Sequence, residues 1–317
     1  MRNRLFTIFG GTGFIGRYVV ERLADRGARI LVISRSPRSH GRHLQPLGSV
    51  DQIVVQSADL SSETALRRAV AGAAGVINLI GILYETGRQQ FAEIHGALAG
   101  RIAAAAQAEG VGRLVQVSAI GADPGSASAY ARSKAAGERR VHEVFPGATL
   151  LRPSIVVGPE DSFFNRFAAL ARILPALPLI GGGETRFQPV YVGDVAQAVV
   201  AALERDDAPG KTYELGGPRI YTFAELMRYM LKVLGRRRLL VSVPFGVATL
   251  QARFLELLPQ PLLTRDQVEL LRRDNVVSPG MSGLEALGIT PTPIELIVPQ
   301  YLARHRANAV RAGRFPR

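Results

Sequence analysis

The chain has 317 residues, with 39 basic against 26 acidic side chains, a net charge of +13 and no cysteine. That length suits one large α/β domain or two smaller ones with a full core, and the missing cysteines exclude disulfides, thiolate metal sites and a cysteine nucleophile. The five histidines, His40, His43, His95, His142 and His305, include no pair at a ligand spacing such as HExxH, so no metal is expected.

Residues 1–4 lead directly into "RLFTIFG" (4–10), which reads as a strand, so no signal or transit peptide is expected. Ile15, Val19 and Leu23 then recur at helical spacing until Gly27 supplies a stop. Strands follow at 28–35 and 51–60, and Ser61 and Ser62 can cap a helix that ends near Gly72. The runs at 75–81, 112–118 and 148–154 continue the series, with helices over about 91–109 and 130–142 between them. Strands apolar throughout, alternating with amphipathic stretches, predict an α/β fold: a Rossmann-type doubly wound parallel sheet.

Beyond Pro153 the pattern loosens. "FQPVYVG" (187–193) and "KTYELGG" (211–217) read as strands returning to the sheet, with "DVAQAVVAALE" as a helix between them. The expected domains are therefore a dinucleotide-binding unit over 1–157 with returning segments at about 187–217, and a smaller, mostly helical C-terminal lobe over 158–186 and 218–317. No uninterrupted apolar run is long enough to cross a bilayer. The expectation is a soluble protein of a reducing compartment, bacterial cytoplasm being the simplest.

"GGTGFIG" (10–16) satisfies GxxGxxG through Gly10, Gly13 and Gly16, and GxGxxG through Gly11, Gly13 and Gly16. It follows a strand and opens a helix. Gly10, Gly11, Thr12, Gly13, Phe14, Ile15 and Gly16 are thus expected to bring backbone against a pyrophosphate whose charge sits on the helix N-terminus. An NAD site places Asp or Glu at the end of the second strand. This chain has Ser34 and Arg35, followed by Arg38, which suits a 2′-phosphate and so NADP(H). Asp59 and Leu60 would lie beside the adenine, although Asp59 could equally cap the next helix. Leu79, Ile80, Gly81 and Pro153 complete the expected cofactor contacts. In "SAYARSKAAGE" (128–138) Tyr130 stands four residues ahead of Lys134, one of only three lysines in a chain with 36 arginines.

These residues together resemble the short-chain dehydrogenase/reductase superfamily, and within it the atypical, extended branch that includes NAD-dependent epimerases and dehydratases. "VSAIGAD" (117–123), "YARSKAAGE" (130–138), "LRPSIVVGPEDSFFNRF" (151–167), "PVYVGDVAQAV" (189–199) and above all "LLTRDQVELLRRDNVVS" (262–278) are similar to the NADPH-binding accessory subunit of respiratory complex I and its bacterial homologues. The resemblance implies Tyr130 as general acid/base and Lys134 as a ribose ligand that lowers the tyrosine's pKa. Two positions depart from the superfamily's pattern. Its Ser or Thr falls at Ala119 or Ile120, beside Ser118, and its asparagine falls at His95. Without the hydroxyl that polarises a carbonyl, transition-state stabilisation is largely lost. The resemblance thus implies NADPH held as a structural or regulatory group, with complex I subunits as partners. An NADP-dependent reductase or epimerase, and an NADPH-sensing regulator, remain open as alternatives.

The C-terminal third is strongly basic. From Lys211 onward there are 16 basic and 8 acidic residues, and "YLARHRANAVRAGRFPR" has five arginines and no acid. Such excess suits an anionic partner such as a membrane surface, an acidic protein face or nucleic acid. Nucleic acid is disfavoured because the tail lacks interleaved stacking aromatics. Arg236 to Arg238 precede a long apolar run broken by Pro244 and Pro259, which can lie in a membrane interface, dock on a partner or form the lid of a substrate pocket. With docking, the expected place is the cytoplasmic face of the inner membrane, bound peripherally. Arg186 falls near a phosphate-binding arginine of sugar-nucleotide enzymes.

Overall fold

Seven short β-branched runs pair in parallel in the computed structural model, which describes residues 1–37, 41–87, 89–259 and 261–306. The strands are β1 (Leu5–Phe9), β2 (Arg29–Ile33), β3 (Ile53–Gln56), β4 (Gly75–Asn78), β5 (Leu114–Val117), β6 (Thr149–Pro153) and β11 (Thr212–Leu215), in the order β11-β6-β5-β4-β1-β2-β3. Strand order reverses between β1 and β4. In a doubly wound sheet that switch point, at the carboxyl ends of the strands, is where a dinucleotide binds.

Helices α1 (Phe14–Asp25), α2 (Glu63–Val70), α3 (Leu98–Ala108) and α4 (Ala129–Val144) connect these strands. Ser62 caps α2 by accepting from Ala65 N–H, and Ser128 caps α4 by accepting from Ala131 N–H, each satisfying an amide that the helix leaves unpaired. Leu66, Val70, Leu98, Ile102 and Val141 pack with Phe9, Ile33 and Leu114 in one buried cluster. Burying each such side chain contributes about 1.5–3 kcal/mol. Helix α6 (Val192–Glu204) packs on α1, outside that cluster.

The chain divides into two units. The first is Met1–Pro153, Val192–Leu215 and Ser278–Thr290; the second is Ser154–Tyr191, Gly216–Val277 and Pro291–Arg317. The stretch 187–193 does not return to the large sheet as its sequence pattern suggests. Instead β9 (Arg186–Phe187) pairs antiparallel with β12 (Tyr221–Thr222), and β10 (Val190–Tyr191) pairs parallel with β7 (Val156–Val157). Pro189, which has no N–H to give a ladder, separates the two short strands.

In the second unit β8 (Ala176–Ile180) and β13 (Leu239–Val243) pair in parallel. Its core joins α5 (Phe164–Ile173) and α7 (Phe223–Leu234) to α10 (Ile294–Leu302) through Phe164, Phe223, Met227, Leu234, Val298 and Leu302. Helices α8 (Phe245–Leu255) and α9 (Arg265–Leu270) complete it.

The segment 262–278, distinctive in sequence, acts here as a clasp. Thr264 and Gln267 form a capping box that starts α9. Asn275 Oδ1 accepts from Ser154 Oγ at 2.6 Å and from Ile155 N–H at 3.2 Å, while Val277 N–H donates to Gln188 Oε1 at 3.0 Å. Among the described residues no helix is long and apolar enough to cross a membrane.

Candidate functional site

The glycine loop links β1 to α1. Gly10 adopts φ +82°, a backbone conformation that other residues rarely take, and a side chain there would press on the Leu79–Ile80 backbone. Gly16 answers to close packing instead: a Cβ would stand 2.5 Å from Gly10 O and Gly11 Cα. A Cβ on Gly13 would meet only Gly10 O, at 3.3 Å, so that position faces open space. Gly13 is the N-cap of α1, no side chain caps its amides, and no acid lies in the first turn. These are the conditions for holding a pyrophosphate on a helix N-terminus.

Ser34, at the end of β2, is buried. It lies 3.5 Å from Thr12 Oγ1 and accepts from Ser36 N–H at 3.3 Å. Arg35 is exposed and makes no ion pair among the described residues. Arg38 lies outside the described residues. Asp59 is held by its own turn: its carboxylate accepts from Ser61 N–H at 2.9 Å and Ser61 Oγ at 2.6 Å, which lowers its pKa. Ser62, not Asp59, caps the helix that follows. The Leu60 carbonyl accepts from Arg101 Nε, and its side chain packs on the core of the first unit. Leu79 N–H bonds Phe9 O, and Ile80 N–H bonds Asn78 Oδ1, whose amide donates to Gln116. This network fixes the end of β4 beside the loop.

The second half of the site is built on α4. Lys134 is buried, and its Nζ lies 5.7 Å from the centre of the Tyr130 ring. His95 and Phe91 meet that ring edge-on at 5.2 and 5.7 Å. A methyl group on Gly81 would lie 3.4 Å from Lys134 Nζ and 3.6 Å from His95 Nε2, so β4 delivers Gly81 between the two. His95 sits on a π-helical turn, Ala92–Ala97, that precedes α3. Close approach of α4 to that turn needs Gly137, where a Cβ would lie 2.0 Å from His95 O.

The tautomer of His95 follows from its partners. Nε2 accepts from Ile82 N–H at 3.0 Å, so Nδ1 carries the proton and donates to Ser133 Oγ at 2.9 Å. Ser133 Oγ in turn donates to the Tyr130 carbonyl oxygen at 2.7 Å. Burial, and then the nearby Lys134 charge, push the His95 pKa down to about 3, so the ring is neutral at pH 7. A neutral imidazole keeps both hydrogen bonds here without adding charge.

Burial lowers the Lys134 pKa to about 8, and Glu138 acts against that shift. Glu138, one helical turn on, receives both faces of Arg152: Nε to Oε1 at 2.9 Å and Nη2 to Oε2 at 2.5 Å. Arg152 Nη1 reaches Glu214 Oε1 at 3.5 Å, and Glu214 Oε2 accepts from Ser278 N–H at 2.7 Å. Charges of alternating sign thus run from the lysine through β6 and β11 to the segment that begins at Ser278. Sequence reasoning did not single out Glu138, Arg152 or Glu214, although the i, i+4 spacing of Lys134 and Glu138 was a legible signal.

Ser118 ends β5, and its Oγ is buried without a hydrogen-bond partner. Pro153, at the end of β6, accepts from Ile120 N–H at 3.0 Å. Arg186, in the second unit, is engaged by Asp274 through both its backbone N–H and its guanidinium, at 2.7–2.8 Å, so it is not poised for a phosphate. Among the described residues no group of acids and histidines could hold a metal.

Residues 6–216 match the family model described as NAD dependent epimerase/dehydratase family. A protein of Arabidopsis thaliana named mitochondrial NADH dehydrogenase [ubiquinone] 1 alpha subcomplex subunit 9 is 37% identical over 97% of this chain and 79% of its own length. The ceramide reductase of Caulobacter vibrioides is 33% identical over 75% of this chain and 73% of its own. An Escherichia coli NADPH-dependent quinone oxidoreductase, solved as its NADPH complex, superposes with a TM-score of 0.74 at 21% identity, covering 94% of this chain and 99% of that one. At that identity the likeness concerns the fold. The chain belongs to the NAD dependent epimerase/dehydratase family, and within it to the group of the subunit 9 proteins.

Proposed function

We propose that this member of the NAD dependent epimerase/dehydratase family is an accessory subunit of respiratory complex I that holds NADPH without turning it over. The observation that carries the reading is the likeness to subunit 9 proteins over 97% of this chain, a span long enough to take in the clasp at 262–278. Site chemistry agrees with a holder. The glycine loop and the open amides of α1 suit the pyrophosphate, and exposed Arg35 suits a 2′-phosphate. Lys134 Nζ, without a hydrogen bond among the described residues, suits a ribose hydroxyl. NADPH, when bound, supplies a hydride donor. Ala119 and Ile120 offer no hydroxyl to polarise an acceptor, and neutral His95 is committed to Ile82 and Ser133.

The membrane-side partner has a candidate surface in the second unit. Only Ala248 and Ala252 of α8 are buried, while Val247, Leu250 and Phe254 stand exposed along one helical row, continued by Leu257 and Leu258. An apolar row on a helix that also carries Arg253 suits a peripheral seat on an anionic membrane, on the cytoplasmic face in a bacterium.

Size separation of detergent-solubilised membranes tests this reading. The chain is expected to travel with NADH:quinone oxidoreductase activity, and migration apart from it would end the proposal. The second reading, an NADP-dependent reductase, is favoured by the unpartnered Ser118 hydroxyl at the end of β5, together with an intact Tyr130 and Lys134. NADPH-dependent turnover of a physiological carbonyl, lost in Tyr130→Phe with nucleotide affinity intact, would establish it.

A further inference from the structure

In the second unit, cations from three elements gather at the carbonyl ends of two helices, with no carboxylate paired to them among the described residues. Two of the arginines there do ordinary work. Arg238 Nε donates to Ala171 O at 2.9 Å and Arg306 Nε to Val233 O at 3.2 Å, so each satisfies a carbonyl in the last turn of a helix, α5 and α7 respectively. These bonds pin the 236–238 segment and the turn Ala303–His305 to the same two helix ends. With those carbonyls served, Arg172 in the last turn of α5, Arg236 just past the left-handed Gly235 that ends α7, and His305 are left over.

Two of the leftover groups are buried donors with nothing to donate to. Arg236 Nε and His305 Nδ1 are both enclosed and have no hydrogen-bond partner among the described residues. The histidine nitrogen is a donor even in the neutral ring, because Nε2 already accepts from Arg304 Nε at 3.3 Å. Proteins seldom leave buried donors unmatched, and each instance asks for an explanation. Arg304, Arg172 and Arg236 all lie close enough to His305 to lower its pKa, after burial itself. Among the described residues no carboxylate pairs with any of the four.

We propose that Arg172, Arg236 and His305 form an anion site that takes a phosphate group. A carboxylate is planar and is matched by a single guanidinium fork, whereas donors arriving from three elements suit the tetrahedral oxygens and higher charge of a phosphate ester. The bound group accepts from Arg236 Nε and His305 Nδ1 and neutralises the cations around them. A free phosphate compound and a phospholipid headgroup present the same chemistry. The site is independent of the complex I reading and lies in the other unit from the glycine loop.

The test has two arms, both on the full chain with saturating NADPH. Inorganic phosphate is titrated by calorimetry and by melting temperature, and sedimentation is measured with vesicles of phosphatidic acid in phosphatidylcholine. Arg236→Gln is expected to weaken the binding seen in either arm at least tenfold, while Arg68→Gln, an exposed arginine on α2 of the first unit, leaves it unchanged. Binding of phosphate alone assigns the site to a soluble phosphate compound, and binding of acidic vesicles alone assigns it to a headgroup. If Arg236→Gln does not fold, Arg172→Gln, an exposed side chain, carries the same comparison. Absence of binding in both arms, or equal binding by wild type and the variant, overturns the site.

Discussion

Lys134, Glu138, Arg152 and Glu214 alternate in sign through the first unit, whereas Arg172, Arg236 and Arg304 in the second carry one sign only, around a His305 whose pKa burial and those arginines lower. Lys134, Glu138 and Glu214 are buried and Arg152 half-buried, whereas in the second group Arg236 and His305 are half-buried and Arg172 and Arg304 exposed, so desolvation acts on all of the first group and on part of the second. What differs is where the compensation comes from. In the first unit the fold supplies it, and removing any one link strands its neighbours. In the second it is supplied from outside the described residues, so removal of one cation leaves no stranded acid behind. A buried charge is therefore structural or ligand-directed according to its partners, not its depth.

The sharpest way to break this comparison is Arg152→Met. It leaves Glu138 and Glu214 buried and unpaired, and a loss of about 3–5 kcal/mol in denaturant unfolding is expected. A loss below about 1 kcal/mol would mean that the chain of charges carries little.

Lys134→Met acts in the opposite sense. The folded pKa of Lys134 sits at about 8, below its ordinary 10.5, so the charged lysine is a stability cost at pH 7 that fades as the pH rises from 8 toward 10.5. Without nucleotide the variant should be more stable by about 1–3 kcal/mol, yet show a much smaller rise in Tm with NADPH than wild type. Stabilisation with an unchanged ligand shift would separate Lys134 from the cofactor.

His95 sharpens the comparison through pH. Its folded pKa of about 3 lies below the ordinary 6.5, so its contribution is complete above pH 6.5 and is lost as the pH falls toward 3. Between pH 6.5 and 5 wild type should lose about 1–2 kcal/mol that His95→Gln does not. Parallel pH profiles for the two proteins would show that His95 takes up its proton as readily folded as unfolded.

The smallest effect belongs to the unbalanced cluster. Arg236→Gln should change stability by less than about 0.5 kcal/mol in phosphate-free buffer, or raise it slightly, because it relieves repulsion without stranding an acid. A loss comparable to Arg152→Met would place the two clusters in one class.

Much of the first unit was legible in the sequence. Its strands are mostly apolar runs of four or five residues, and the glycine loop lies between one of them and an amphipathic helix, so local pattern and fold agree. Strands of two residues leave no such pattern, which is why 187–193 reads as one element when Pro189 divides it into two pairings. The π-helical turn at Ala92–Ala97 was read as ordinary helix, because one widened turn barely alters an apolar stripe. Arg186 looked available for phosphate, and only the fold brings Asp274, 88 residues on, against it. Tyr130 and Lys134 stood out by spacing, but the chain of carboxylates and arginine behind the lysine joins β6, β11 and Ser278, distances no local window spans.

The return of Ser278–Thr290 to the first unit also bears on how the protein is made. The nucleotide loop emerges first from the ribosome, yet the amide that Glu214 accepts emerges only after the chain has departed at Leu215 and come back at Ser278. At about 5–20 residues per second that interval lasts roughly 3–12 s, during which Glu214 has only Arg152 to answer its charge. The unit synthesised earliest is thus among the last to be finished, and a chain terminated before Ser278 carries the loop without the piece that completes the wall behind Lys134.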